Sequence, residues 1–252
     1  MIKLSVVIIC YNEEHNILRC LRSVKGIADE VILVDSFSKD RTVSTGILEG
    51  AIVFKHPFEG HIQQKNYALT KASYDHILSL DADEALDDLL KSEILRVKAN
   101  FNQEGYYLKR LNNYCGYWVR HSGWYPDKKL RLFDRRKGSW KGTNPHDKFS
   151  LDAGDKFTEL LNGDILHFSY YTVEEHFKQM EYFATIAANE LFKKSKKPYW
   201  FHLVINPILH FVKSYIIKLG ILDGWRGIQI CVISSYGTYL KYKKLRSLNS
   251  RT

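Results

Sequence analysis

The sequence predicts an α/β fold, a mostly parallel sheet with helices on both faces, followed by a C-terminal helical appendage. Three observations carry this. Apolar runs of strand length alternate with amphipathic segments from the N-terminus up to an acidic run at Asp81–Glu84. The stretch after Thr172 has a helical period. Charge changes at a similar point: from Glu190 on, twelve Lys/Arg meet two Asp/Glu, a net +10, while the preceding residues hold 25 and 26. The organisation expected is residues 1–171 as one domain, with halves 1–100 and 101–171, and 172–252 as a helical, basic region.

The elements follow in order. Leu4–Cys10 is a β-branched run of strand length, and Glu13–Lys25 places Ile17, Leu21 and Val24 on one helical face. Glu30–Asp35 reads as a second strand, Asp40–Glu49 as a short helix and Ala51–Lys55 as a third strand. His61–Ala72 is helical, and Asp75–Leu80 is a fourth strand running into the acidic run. Strands joined this way lie parallel, and their ligands bind beyond the carboxyl ends, where Tyr11, Asp35 and Asp81 stand. Glu104–Tyr170 is rich in Gly and aromatic residues. Its alternating run at Lys129–Asp134 and strand-like segments near 146–151 and 163–170 predict mixed or antiparallel strands over the cleft. In Thr172–Lys194, Phe177, Met180, Phe183, Ala184, Ala187 and Leu191 recur at helical spacing.

Several classes are excluded. Hydrophobic residues at 45% and charged residues at 26% belong to an ordered globular chain. Cys10, Cys20, Cys115 and Cys231 form neither a CxxC pair nor a zinc spacing and are expected as reduced thiols. No GxGxxG follows the first strand and no GxxxxGK[ST] occurs, so a bound nucleotide must be held by side chains and a metal. Acidic Glu13 and Glu14 stand where a secretory cleavage site would fall, so the first apolar run is expected to be a strand.

The run Asp81-Ala82-Asp83-Glu84 carries the strongest local chemistry. Carboxylates two apart at a strand end can reach a divalent cation and a ribose hydroxyl together, and hard oxygen ligands suit Mg²⁺ or Mn²⁺. Alone, the run reads equally as a turn or cap before a helix beginning near Ala85. It does not stand alone. SVVIICYNEE, VILVDSFSKDRT and QQKNYALTKASYDHILSLDADE together resemble glycosyltransferase family 2 over residues 3–84 in order and spacing. The resemblance implies the GT-A fold, which is Rossmann-like, and a nucleotide-sugar donor, by family habit a UDP-sugar. It implies that Tyr11 and Asn12 line the nucleotide pocket, that Asp35 contacts the base, and that Lys65, where many relatives carry Arg, helps bind the nucleotide. Asp81 then meets the ribose and Asp83 the metal.

GWYPDKKLRLFDRRKGSW, PHDKF, GDILHFSY and LGILDGWRG resemble, more loosely, the branch of lipopolysaccharide core β-glucosyltransferases. Such enzymes invert the anomeric centre, with a base on the acceptor hydroxyl and a metal on the departing diphosphate. Close relatives read His-Glu where this chain reads His146-Asp147, so Asp147 is the expected base and His146 its orienting neighbour. Asp127 competes and Asp134 is third; an exposed loop acid remains the bland alternative for Asp147. His167 is a metal ligand by resemblance or a hydrogen-bonded core histidine. Trp124, Trp140 and Arg131 are candidates for the acceptor wall, since aromatic faces stack on sugars and Arg grips phosphate; each also reads as packing.

Trp200–Leu222 is the most apolar stretch, but His202, Asn206, Pro207, His210, Lys213 and Lys218 make it too polar for a lipid-exposed span. On a helical wheel His202, Asn206, His210 and Lys213 form one stripe, with Val204, Ile208, Phe211, Val212, Tyr215 and Leu219 opposite. With KKSKKP and KYKKLR flanking, this describes an interfacial helix on an anionic membrane; a helix docked on the core, or a dimer seam, is the alternative. No nucleic-acid recognition motif accompanies the charge, so no nucleic-acid partner is expected. The expected protein is an inverting, metal-dependent glycosyltransferase, peripheral on the cytoplasmic membrane face, acting on a lipid-linked saccharide such as lipopolysaccharide core, with an oligomer possible. Transfer to a polyisoprenyl phosphate and a non-catalytic nucleotide-binding scaffold are the alternatives.

Overall fold

The computed structural model of the chain describes residues 1–143 and 146–250, with His146 described by its backbone. The orienting role expected of the His146 side chain therefore lies outside the described residues. The chain divides into two compact units, residues 1–111 with 127–168, and residues 112–126 with 169–252.

The first unit opens with the expected alternation: β1 (Leu4–Cys10), α1 (Ile17–Ser23), β2 (Glu30–Asp35), α2 (Thr42–Leu48), β3 (Ile52–Lys55), α3 (His61–Lys71) and β4 (His76–Asp81). The next step differs from the sequence reading. Instead of a helix near Ala85 there is a short strand, β5 (Glu84–Leu86), and only then α4 (Asp88–Ala99). Pairing draws the segment into the sheet, because Ala85 and Leu86 lie opposite Leu166 and Ile165 of β11 (Thr158–Tyr170). The helix start moves to Asp87, whose Oδ1 accepts from Leu90 N at 2.7 Å as an N-cap.

The remaining strands are β6 (Gly105–Tyr114), β7 (Tyr117–Val119), β8 (Asp127–Asp134), β9 (Gly138–Thr143) and β10 (His146–Leu151). The main sheet runs β3-β2-β1-β4-β8-β6-β11-β5, and β9 and β10 form a separate hairpin. β1, β2, β3 and β4 pair in parallel, whereas β8 pairs antiparallel with β4 and with β6. Period-2 alternation builds a core on each face. Leu4, Val6, Ile8, Leu33, Leu78 and Leu80 pack with α1 and α4 on one side. Val7, Ile32, Val34 and Ile77 pack with Ala68, Leu69, Phe133 and Trp140 on the other. The parallel register sets Cys10 beside Asp35 and Ile9 beside Asp81, so both acids flank the carboxyl end of β1.

The second unit contains β7 and three helices, α5 (Val173–Lys193), α6 (Trp200–Val212) and α7 (Gly224–Asn249). α5 begins with a reciprocal box: Glu175 N donates to Thr172 Oγ1 and Thr172 N to Glu175 Oε2, each at 3.2 Å. The carboxylate of buried Asp223 accepts from His121 N at 3.1 Å, with the His121 ring Nδ1 at 3.0 Å, and so ties residues 120–122 to the start of α7. Tyr114, Tyr170 and Trp124 surround His176, which is fully buried and whose Nδ1 lies 3.3 Å from the Tyr114 hydroxyl.

Burial pushes the His176 imidazole down to about 4 from its ordinary 6.5. The unfolded chain therefore takes up this proton first as pH falls. The stabilisation is intact above pH 6.5 and lost progressively between 6.5 and about 4, by up to about 3 kcal/mol. Urea denaturation at pH 7 and 4.5 should show this loss, and His176→Leu should shrink it. An equal pH dependence in both proteins would mean that His176 titrates alike folded and unfolded.

Candidate active site

The loops after β1 and β2 are knitted together by Asn12 and Asp35. Asn12 takes a left-handed conformation (φ 54°), donates its N–H to Ser38 Oγ at 2.8 Å and accepts from Lys39 N at 2.9 Å. Asp35 is completely buried and accepts from Ser38 N at 3.0 Å. Tyr11, by contrast, is exposed beside them.

Around the end of β4 lies a network of opposite charges. Arg131 Nη2, from β8, donates to Asp81 Oδ2 at 2.7 Å and to Glu84 Oε1 at 3.0 Å. Glu84 Oε2 accepts the Asp81 N–H at 2.9 Å, closing the turn on itself. Arg110 reaches Glu84 at 3.5 Å and donates to Asp127 Oδ2 at 2.7 Å. Lys65, from α3, ion-pairs with Asp81 Oδ1 at 3.1 Å and donates to Asp147 Oδ2 at 2.8 Å. Beneath both cations sits the Trp140 ring, 4.6 Å from Lys65 Nζ and 5.7 Å from Arg131 Cζ. Trp140 is fixed in turn by Asn66, which exchanges two hydrogen bonds with its backbone. Burial opposes ionisation of Asp81, but Arg131 and then Lys65 outweigh it and hold the carboxyl well below the usual carboxylate range.

Asp83 turns to a different partner. Its Oδ2 lies 3.1 Å from His167 Nε2, and its carbonyl accepts from Phe168 N at 3.0 Å. Among the described residues no three His, Cys, Asp or Glu side chains are gathered to hold a metal. Asp83 and His167 nonetheless fit one kind of site, a hard divalent cation that takes one or two protein ligands and completes its shell with substrate phosphates and water.

Of the residues singled out from sequence, Lys65, Asp81, Asp147, Arg131 and Trp140 converge, and Asp83 joins His167. The proposed acceptor wall is otherwise disposed. Arg131 and Trp140 are 3% and 4% exposed, so neither presents a face to a second substrate; they build the floor under Asp81 and Lys65. Trp124 belongs to the second unit, where it packs edge-on against Tyr114. Asp127 is paired with Arg110, and Asp134 caps the turn at Arg136. Sequence reasoning gave no role to Glu84 or Arg110. Glu84 was visible as the last acid of the run; Arg110, one basic residue in a strand of mixed polarity, gave no signal.

The site is thus a parallel sheet whose acid-bearing strand ends meet cations from α3 and β8. The family model for glycosyl transferase family 2 matches residues 5–151. An uncharacterised glycosyltransferase of Rickettsia typhi is 32% identical over the whole of this chain and 89% of its own length. LpsC of Rhizobium meliloti, a lipopolysaccharide core biosynthesis glycosyltransferase, is 28% identical over 84% of this chain and 80% of its own. A mannosyltransferase of Pyrobaculum calidifontis, solved with GDP-Man and Mn²⁺, shares the fold at a TM-score of 0.54 and 12% identity, over 97% of this chain and 87% of that one. The chain belongs to glycosyl transferase family 2: it is a glycosyltransferase with the GT-A fold.

Removing one member of a buried charge network strands the others. Glu84→Gln should therefore destabilise the protein by about 3–5 kcal/mol. Asp127→Asn, at the exposed end of the same network, should cost about 1 kcal/mol or less. Urea denaturation midpoints check both, and similar losses in the two variants would contradict the hierarchy.

Proposed function

We propose that the protein inverts a sugar's anomeric centre as it transfers the sugar from a nucleotide donor, a UDP-sugar such as UDP-glucose, to a lipid-linked saccharide of the lipopolysaccharide core type. The observation carrying this reading is the division of the acidic run: Asp81 is locked into a cationic network, while Asp83 is paired with His167 at the same strand end. The likeness to LpsC supports the acceptor class. Residues 1–171 are read as the catalytic domain and 172–252 as an appendage at an anionic, cytoplasmic membrane face. Among the described residues no helix is long and apolar enough to cross a membrane, and the basic residues after Glu190 are suited to such a surface.

In this reading Asp83 and His167 hold a divalent cation, Mg²⁺ or Mn²⁺, which when bound supplies positive charge to the leaving diphosphate. Tyr11, Asn12 and Asp35 shape the nucleotide pocket at the ends of β1 and β2, and Asp81 is presented to the ribose by Arg131. Asp147 accepts the proton of the acceptor hydroxyl as its oxygen bonds to the anomeric carbon and the carbon–oxygen bond to the diphosphate breaks. Lys65, anchored over Trp140, holds the Asp147 carboxylate by Oδ2.

A screen of nucleotide sugars for metal-dependent thermal stabilisation and hydrolysis tests the donor. Asp83→Asn keeps the side-chain volume, so the fold should survive while metal-dependent UDP affinity is lost and transfer falls by orders of magnitude. Wild-type turnover of that variant in chelator would refute the metal role.

Asp147→Asn should lower transfer by about 10²–10⁴-fold with donor binding retained. An active Asp147→Asn beside an inactive Asp127→Asn would reassign the base.

A further inference from the structure

The second unit carries an inside-out helix. A helix docked on a water-soluble protein turns its apolar stripe inward. α6 does the reverse. His202 stacks on Tyr242 of α7 at 5.1 Å, and His210 Nδ1 lies 3.3 Å from Ser235 Oγ of α7. Asn206, between them on the same stripe, is half-buried. The opposite face is left outside: Val204, Ile205, Ile208 and Leu209 are 44–58% exposed, and no residue of α6 is buried.

The apolar surface continues past the end of α6. A π-helical turn at Lys213–Ile217 and a 3₁₀ turn at Gly220–Asp223 join α6 to α7 as a hairpin. At this tip Ile216, Ile217, Leu219, Ile221, Leu222 and Trp225 are all exposed. The tip has a fixed shape. Leu219 is held at φ 56°, and a Cβ on Gly227 would lie 1.9 Å from Gly220 O, so the two arms meet backbone to backbone. The Asp223 carboxylate anchors the base of the tip to His121.

We infer that this face, α6 together with the hairpin tip, inserts shallowly into one leaflet of an anionic phospholipid bilayer. The inference rests on the membrane-facing part of the proposed function and specifies its surface. Charge selects the occupant. From Leu191 to Leu222 there is no Asp or Glu, while Lys193, Lys194, Lys196, Lys197, Lys213 and Lys218 are all exposed. A second copy seated on the face by two-fold symmetry would bring these lysines together with no carboxylate from the stretch to pair with them. Anionic headgroups would pair with them, and the exposed Tyr199, Trp200 and Trp225 have the amphipathic rings that sit at the headgroup level. The basic flanks and the apolar face thus serve one surface with two separable forces.

The experiment uses the full chain with vesicles of phosphatidylcholine and phosphatidylglycerol at 3:1. The protein should sediment with them at 0.1 M NaCl and retain measurable binding at 1 M, where screening has removed the electrostatic part. Lipids brominated near the top of the acyl chain should quench Trp fluorescence, and a Trp200→Phe/Trp225→Phe variant should lose most of that quenching. The exposed triple variant Ile208→Ser/Leu209→Ser/Ile217→Ser should bind at least tenfold more weakly at 1 M NaCl. Absence of vesicle binding at low salt, or unquenched Trp200 and Trp225 in bound protein, overturns the inference. So does a dimer in sedimentation velocity that the triple variant dissolves and vesicles do not. Nucleotide-sugar hydrolysis measured on the same samples keeps the two readings apart. Hydrolysis without vesicle binding sinks the insertion alone, and vesicle binding without use of any nucleotide sugar sinks the transferase chemistry alone.

Discussion

One guanidinium nitrogen organises the catalytic unit. Arg131 Nη2 is shared between Asp81 and Glu84, and through them it fixes the turn that follows β4. A strand ending in three acids within four residues concentrates negative charge at the edge of the core, with Glu84 buried and Asp81 half-buried. Burying an ionised carboxylate costs several kcal/mol unless a cation with good geometry is at hand. β8 supplies it because it runs antiparallel to β4, with Leu132 opposite Leu78, which brings Arg131 to the acidic end. The attraction and the desolvation nearly cancel in such pairs, so the network does little for net stability. Its effect is on geometry, since no member can move without leaving a buried charge behind.

That constraint explains why the acids of one short run have different surroundings. Asp81 and Glu84 are consumed by Arg131, Arg110 and Lys65, whereas Asp83 leans to β11 and finds His167. The short strand β5 makes the difference. By pairing Glu84 with His167 in register it brings β11 alongside the turn, so a residue 84 positions later in the chain can face Asp83. Had a helix begun at Ala85, as local pattern alone suggests, Glu84 would sit at its N-cap and the edge of β11 that pairs with β5 would be left open.

The parallel half of the fold was legible in the sequence because its signals are local. β-branched runs, one-sided helices and acids at strand ends all lie within windows of about ten residues, and Asp35 and Asp81 stand where the alternation puts them. The antiparallel half was less legible because its register depends on partners far along the chain. Arg131 and Trp140 read either as an acceptor wall or as packing, and only the assembled β8 and β9–β10 hairpin decide for packing by burying both. Arg110 and Glu84 acquire meaning only when β6, β8 and β5 are assembled. α6 shows a third kind of limit. The helical wheel groups His202, Asn206 and His210 on the stripe that the structure turns inward, although Lys213 of that stripe stays exposed, and a wheel has no inside. Only the rings of α7, Tyr242 above all, show that the polar stripe is the one turned inward.

The two units also differ in how their charges answer to salt. In the first, cations and acids meet at hydrogen-bonding distance and are largely buried: Lys65 and Arg131 have side chains 5% and 4% exposed. Counter-ions cannot enter between such groups, so ionic strength leaves the network intact. In the second, the lysines flanking α6 are exposed and face no acid from their own stretch, and a screening length of about 8 Å at physiological salt governs their reach. The net +10 carried from Glu190 on is therefore a surface property tunable by the medium, while the nearly neutral remainder keeps its charges for geometry. Segregating the two kinds lets a strongly basic chain hold a carboxylate cluster in register, because the cations that neutralise Asp81 and Glu84 are chosen by strand pairing and not by bulk attraction.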